Sequence, residues 1–246
     1  MNDINVIYED NDILIINKPS GVIVNKADTT RHELTVQDWL EQRERAKYYQ
    51  KPSEELDSDF YSRAGIVHRI DKETSGILII AKNLESFQNL QAQFKERKVE
   101  KMYVALAHGR VEPTEGEISM PVGRLPWNRT RFGVMAGGKE ALTKYKVIAN
   151  YISPVKSGEY LTLLELYPKT GRTHQIRVHL KYINHPIFGD ELYAGRKTSR
   201  DDRKLLQRFF LHAKKISFFH PKTGKRVEFE STLSPELQNV LDALDH

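Results

Sequence analysis

The sequence predicts an α+β fold: a single domain over residues 1–246, built on a large mixed, mainly antiparallel sheet flanked by helices and loops. Two observations predict it. Short runs of strand-forming residues outnumber the amphipathic helical stretches and do not alternate with them one for one, as a doubly wound parallel sheet requires. No Pro/Gly/Ser-rich linker, internal repeat or low-complexity tract divides the 246 residues, and 39% of them are hydrophobic, enough for a sizeable core.

The elements follow in order. Residues 4–16 read as two short strands around the acidic turn Glu9-Asp10-Asn11-Asp12. Lys18-Pro19-Ser20-Gly21 interrupts the pattern, and Val22-Ile23-Val24 is expected to resume it. Thr35 caps a helix running to about residue 48, with Val36, Trp39 and Leu40 on one face. The polar stretch 41–62 reads as a helix end and an exposed loop. The unbroken apolar run 76–81 predicts a buried strand. Asn83 caps the next helix, striped by Leu84, Phe87, Leu90 and Phe94. Strands are expected at 102–107, 142–149, 160–167, 214–219 and 226–230. Residues 173–183 predict a helix with Ile176, Leu180 and Ile183 on one side and His174, Arg177 and Lys181 beside them. Ser234-Pro235 opens a terminal helix, serine as cap and proline at the first helical position.

Composition narrows the function. The net charge of +5 favours a polyanionic partner, most often nucleic acid. Cysteine is absent, which excludes disulfides and thiolate metal sites and is compatible with a reducing cytoplasm. No apolar run is long enough to span a bilayer, and residues 1–9 do not read as a signal peptide. His174, His179 and His185 lack the i, i+4 spacing of zinc ligands on a helix, so no metal is expected.

Three stretches concentrate chemistry. His68-Arg69-Ile70-Asp71-Lys72-Glu73-Thr74-Ser75-Gly76 abuts the apolar run, where a sheet can position side chains. Asp71 there is either a nucleophile or general base, or one member of an ordinary turn. Thr170-Gly171-Arg172-Thr173-His174-Gln175-Ile176-Arg177-Val178-His179-Leu180 places a glycine before a helix start, an arrangement suited to anions. Arg177 is either on a solvated helix face or a buried cation that keeps a carboxylate ionised. Lys101-Met102-Tyr103 opens a strand, and Tyr103 is either core or a phenol stacking on a base. Arg124, Arg129 and Arg131 are expected to surround Trp127 in a loop, and Arg196, Lys197, Arg200, Arg203 and Lys204 cluster near Tyr193. Both suit phosphate contact with base stacking, although Asp201 and Asp202 dilute the second.

Taken in order along the chain, these stretches closely resemble the motifs of RluA-type pseudouridine synthases. The signature around Asp71 departs from the usual pattern only at Ile70, where leucine is common. Ile16-Asn17-Lys18-Pro19-Ser20-Gly21, Lys101-Met102-Tyr103 and residues 170–180 resemble the other motifs, with weaker likeness at Gly138-Lys139-Glu140-Ala141-Leu142-Thr143 and Leu211-His212-Ala213. The resemblance implies a pseudouridine synthase fold, a catalytic domain on a bisected sheet. It implies isomerisation of uridines in structured RNA, for which ribosomal and transfer RNA are both candidates, with no metal or organic cofactor. The absence of cysteine suits a cytoplasmic enzyme, and with no apolar interaction stripe left over a monomer is expected. The small RNA-binding domain that some relatives carry ahead of the catalytic one is expected to be absent. The resemblance makes Asp71 the catalytic aspartate, sets Tyr103 against the uracil and pairs Arg177 with Asp71. Arg69 would fill the space of the flipped uridine, Ile176 would pack on the base, and Lys18, His68 and Arg172 would add substrate contacts. Arg124, Arg129 and Arg131 would hold RNA.

The chemistry suits this arrangement. Breaking N1–C1′ and rejoining C5 to C1′ needs one ionised carboxylate at the ribose. Hydrolysing glycosidases usually flank the bond with two. Glu73, the other acid of the motif, is expected on the opposite side of an extended segment. Two alternatives remain at this stage: a non-catalytic RNA-binding protein on the same fold, and an RNA or nucleoside glycosidase.

Overall fold

The computed structural model describes residues 4–27, 33–43, 58–156 and 158–244, without the side chains of Ser58 and Arg129. The chain divides into two compact units: residues 1–99 with 215–231, and residues 100–214 with 232–246.

The first unit holds β1 (Asn5–Glu9), β2 (Ile13–Lys18), α1 (Val36–Arg43), α2 (Ser58–Ser62), β3 (Ser75–Ala81) and α3 (Leu84–Lys95). The later half of β10 (Leu211–Phe219) and β11 (Arg226–Glu230) complete it. Strand pairing runs β1-β2-β3-β10, with β11 on β10. The β1–β2, β2–β3 and β10–β11 pairs are antiparallel. β3 is buried along its whole length, as its unbroken apolar sequence requires. α3 covers the sheet with Phe87 and Leu90, which join Ile13, Ile15, Ile77, Ile79, Ile216 and Phe218 in one core. Asn83 caps α3 by accepting the Ser86 N–H at 2.8 Å. Gln93 on α3 receives the Phe219 N–H at 2.9 Å and donates to the Phe219 carbonyl at 2.6 Å, so its amide stands in for a missing strand partner.

The second unit holds β4 (Glu100–His108), β5 (Glu115–Ser119), β6 (Val122–Leu125), β7 (Asn128–Val134), β8 (Leu142–Ile152) and β9 (Tyr160–Pro168). It also holds α4 (Gln175–Tyr182), α5 (Arg196–Asp202) and α6 (Pro235–Asp242). Its pairing runs β10-β4-β9-β8-β5, while β6 and β7 form a separate hairpin. The β4–β9, β8–β9 and β5–β8 pairs are antiparallel. Its core gathers Leu106, Leu164, Leu166, Ile176, Leu180, Phe188, Phe210 and Leu237.

The α+β class and the large sheet flanked by few helices agree with expectation. Several local expectations need correction. Val22-Ile23-Val24 forms no strand; Ile23 makes only an isolated parallel bridge to Thr35. Thr35 caps α1, its Oγ1 receiving the Asp38 N–H while Asp38 receives the Thr35 N–H. α1 ends at Arg43, and the expected extension to residue 48 lies outside the described residues. Ser234 precedes α6, but its hydroxyl makes no capping bond and is buried without a partner; Pro235 supplies the start signal alone. Arg124 and Arg131 lie on the β6–β7 hairpin rather than in a loop, and residues 196–202 form α5.

Candidate active site

In the first unit, Asp71 lies on a short bend leading into β3. The bend closes with the Thr74 N–H on the Asp71 carbonyl at 3.1 Å. Turn chemistry and a functional carboxylate are therefore compatible here: the turn is what presents Asp71, half-buried, between the buried Ile70 and Thr74. The bend also removes the premise that Glu73 alternates to the opposite side of an extended segment.

A second turn clamps this one. Lys18, at the end of β2, is 0% exposed. Its ammonium donates to the carbonyls of Pro19 (2.8 Å), Val22 (2.8 Å) and Lys72 (3.0 Å). The Gly21 N–H donates to the same Lys72 carbonyl at 2.9 Å, and Ser20 Oγ to the Glu73 carbonyl at 2.9 Å. Three donors on three acceptors account for a buried cation with no exposed surface. The sequence expectation of a direct substrate contact does not fit that burial; Lys18 fastens the bend that carries Asp71.

His68 is fixed from below. Its Nε2 accepts the Ile79 N–H of β3 at 2.9 Å, and its ring stacks on Phe94 with centroids 4.8 Å apart. An accepting Nε2 places the proton of the neutral imidazole on Nδ1. Arg69, next along, is exposed.

In the second unit, Tyr103 lies near the start of β4, paired with Leu166 and packed partly against the core. Residues 170–174 form the turn before α4. Gln175 organises that turn with its own side chain. Its Oε1 receives the Thr170 hydroxyl at 2.6 Å and the Arg172 N–H at 3.0 Å. Its Nε2 donates to the Leu142 carbonyl at 3.1 Å and Thr143 Oγ1 at 2.9 Å. α4 therefore starts at Gln175, two residues later than expected, and His174 takes a left-handed conformation (φ 54°) ahead of it. Arg172 reaches back, Nε donating to the Glu140 carbonyl at 3.0 Å, and Ile176 is buried in the core.

The solvated-face reading of Arg177 is overturned: it is 5% exposed. Its Nε and Nη2 donate to the two oxygens of Asp190 at 2.7 and 2.9 Å. The guanidinium carbon lies 4.4 Å from the Phe209 ring centroid and 5.0 Å from that of Tyr193. A planar cation held in a fork and between rings keeps one orientation. Asp190 Oδ1 also accepts the N–H groups of Leu192 (3.0 Å) and Tyr193 (3.2 Å). Gly189 precedes it at φ 78°, and a Cβ there would meet the Arg208 carbonyl oxygen at 2.3 Å, so only glycine fits. Sequence reading missed Asp190. Its signal is an acid directly after the apolar Ile187-Phe188-Gly189, a placement that asks for a buried cation.

The histidines of this unit are engaged elsewhere. His179 Nε2 donates to the Met120 carbonyl and Nδ1 meets Thr143 Oγ1, both at 3.0 Å, and burial pulls its pKa down so that it stays neutral. His174 Nδ1 meets the Tyr193 hydroxyl at 3.0 Å, and that hydroxyl receives the Phe132 N–H of β7 at 3.1 Å. The β6–β7 hairpin is thereby tied to the start of α4, with Phe132 and Val134 packed against Val178 and Tyr193. At its tip, Pro126-Trp127 joins the paired Leu125 and Asn128, and Trp127 is 80% exposed. Arg124 lies 5.0 Å over the Phe132 ring, its cross-strand partner. The side chain of Arg129 lies outside the described residues.

In the first unit, Asp10, Asp12 and His220 also converge, with ligand atoms within 4.8 Å of one another. Hydrogen bonds account for the cluster. Asp10 Oδ1 receives the N–H groups of Asp12 and Ile13, both at 2.8 Å, and Oδ2 receives Tyr8 and His220 Nε2. His220 Nδ1 accepts from the Lys222 and Thr223 amides, which puts its proton on the nitrogen facing Asp10.

Comparison with known proteins agrees with the motifs. The family described as "RNA pseudouridylate synthase" matches residues 12–182. An "Uncharacterized RNA pseudouridine synthase" of Aquifex aeolicus is 41% identical over 231 residues, covering 92% of this chain and 68% of that protein. "Ribosomal large subunit pseudouridine synthase D" of Neisseria meningitidis is 36% identical over 98% of this chain and 61% of its own length. Among solved structures, "Human RNA Pseudouridylate Synthase Domain Containing 1" superposes with TM-score 0.71 at 27% identity, covering 96% of this chain and 86% of that one. The class so defined is that of isomerases acting on uridines in RNA. Within it, the chain belongs to the RNA pseudouridine synthase family. That membership sets aside the glycosidase and the non-catalytic binder.

Proposed function

We propose that this RNA pseudouridine synthase works through Asp71, with Tyr103 against the target uracil and Arg177 paired with Asp71. The observation that carries the reading is the clamp on the Asp71 bend: a buried lysine, a glycine amide and a serine hydroxyl all fasten residues 72 and 73. A carboxylate that must act at one ribose atom needs such a support. The ionised carboxylate either attacks C1′, forming an ester as N1–C1′ breaks, or takes the C2′ proton as the uracil leaves to give a glycal; the uracil turns and C5 bonds to C1′ as the ester bond breaks or the proton returns to C2′, and C5 then loses its proton while N1 gains one. Arg177, held by Asp190 and close to two rings, offers a cation of fixed orientation for that pairing.

The substrate in this reading is structured RNA, ribosomal or transfer; the name of the Neisseria relative favours ribosomal. The target base must leave its stack, and the exposed Arg69 fills the gap. Arg124 and Arg131, with Trp127 between them, contact phosphates and stack on an unpaired base. In this reading His68 and Arg172 add substrate contacts and Ile176 packs on the base. We place the working enzyme in the cytoplasm, as a monomer and without metal or cofactor. The test is Asp71→Asn on RNA tritiated at uridine C5. Label release should vanish while RNA binding persists, and release at the wild-type rate would remove Asp71 from the mechanism.

A further inference from the structure

The tyrosine and arginine motifs of the second unit meet at a cation that nothing above uses. Lys101 stands two residues before Tyr103 on β4, and the pleat puts both side chains on one face, about 7 Å apart along the strand. Its ammonium makes one long hydrogen bond, 3.4 Å to the carbonyl of Thr170, the first residue of the arginine motif. Among the described residues no carboxylate pairs with it, and the charge that acts on it is Lys169, of like sign.

An ammonium carries three donors, and a largely buried one is costly unless they are met. Lys18 meets this demand with three carbonyls. Lys82, also mostly buried, meets it with Glu9 and the Asp10 carbonyl. Lys101 does not, and burial, then repulsion from Lys169, draws its pKa down to about 8. The cation is therefore held ready for an anion. The ammonium stands beside the exposed Gly171, which brings no side chain against it: a Cβ there would stand 3.9 Å from Nζ.

We propose that Lys101 seats one phosphodiester of the RNA strand, next to the uridine that Tyr103 faces. This deepens the reading of the site given above and rests on it. A base on Tyr103 and a phosphate on Lys101 would fix a nucleotide at two points, one sequence-bearing and one not.

The test uses the full chain, with an in vitro transcript of large-subunit ribosomal RNA tritiated at uridine C5. Lys101→Met keeps the stem and removes the charge. Its affinity for the transcript should fall about ten- to hundredfold, and the slope of log affinity against log salt should shrink by about one phosphate. The loss should fall on KM rather than kcat, and Lys101→Arg should recover most of it. Raising pH through 8 should weaken binding by the wild type and leave Lys101→Met unaffected. In the wild type, the NMR titration of the Lys101 ε-methylene should move to higher pH when the transcript is bound, a readout independent of how any variant folds. An unchanged salt slope, or a Lys101 titration indifferent to RNA, overturns the proposal. A wild type that neither binds the transcript nor releases label from it would instead count against ribosomal RNA as the substrate.

Discussion

Replacing Asp190 by asparagine should destabilise the second unit more than any surface change. The structure gives the magnitude. Asp190 is fully buried and accepts four hydrogen bonds, two from the Arg177 fork and two from the amides of Leu192 and Tyr193. Asparagine keeps the shape but removes the charge and turns one accepting oxygen into a donor. An NH2 group then faces either the guanidinium or the two amides. Removing one partner of a buried ion pair costs roughly 3–5 kcal/mol, because the other charge stays buried. For a chain of this size each kcal/mol lowers Tm by about 2–4 °C, so a drop of roughly 6–20 °C is expected by calorimetry. The double variant Arg177→Met with Asp190→Leu should regain much of that stability, since an apolar pair can replace an ionic one, yet remain inactive. A Tm within about 2 °C of wild type for Asp190→Asn would refute the reasoning, as would a double variant no more stable than the single one.

Other outcomes are expected. Lys18→Met should lower kcat and speed hydrogen exchange at the Gly21 amide, while RNA affinity stays near wild type; lost affinity with an unmoved amide would make Lys18 a substrate contact after all. Trp127→Ala should weaken RNA binding by about 1–3 kcal/mol if the hairpin tip stacks on a base, measured by filter binding, and equal affinities would remove the tip from the interface. Burial raises the Asp10 pKa, but the amides of Ile13 and Asp12 with His220 and Tyr8 outweigh it and hold the carboxyl at about 2. Its folded pKa lies below the unfolded value of 3.8, so its contribution is complete above pH 4 and is lost as pH falls through 2. Asp10→Ala should therefore cost about 2 kcal/mol at pH 6 and progressively less below pH 4 in urea titrations; a penalty independent of pH would contradict the assignment.

Much of the fold was legible because local chemistry and tertiary demand agree. The run Gly76 to Ala81 has to be buried, and Asn83 has to cap. The failures have physical causes too. β6 and β7 carry Gly123, Arg124, Arg131 and Gly133, poor strand formers that pair only because Phe132 and Val134 pack on α4. The start of α4 slips because Gln175 recruits the preceding turn with a side-chain network that no pattern in the sequence displays. Within the site, the order of motifs pointed to Asp71, Tyr103 and Arg177. What supports them did not show: Asp190 lies 13 residues beyond Arg177, and the Lys18 clamp joins residues 54 apart. Such contacts depend on how sheets assemble, and spacing along the chain carries no trace of them.

The first unit draws its strands from two distant stretches of the chain, residues 1–99 and 215–231. β3 takes β10 as a neighbour, yet Phe219 at the end of one lies 138 positions beyond Ala81 at the end of the other. On a ribosome adding about 5–20 residues per second, the apolar edge of β3 waits roughly 7–28 s for that neighbour. A strand this apolar with one edge left open is the kind that other chains adhere to. Production of this enzyme should therefore be sensitive to translation speed and to holding chaperones at the ribosome, and a stop placed between the units should yield aggregate rather than a folded half.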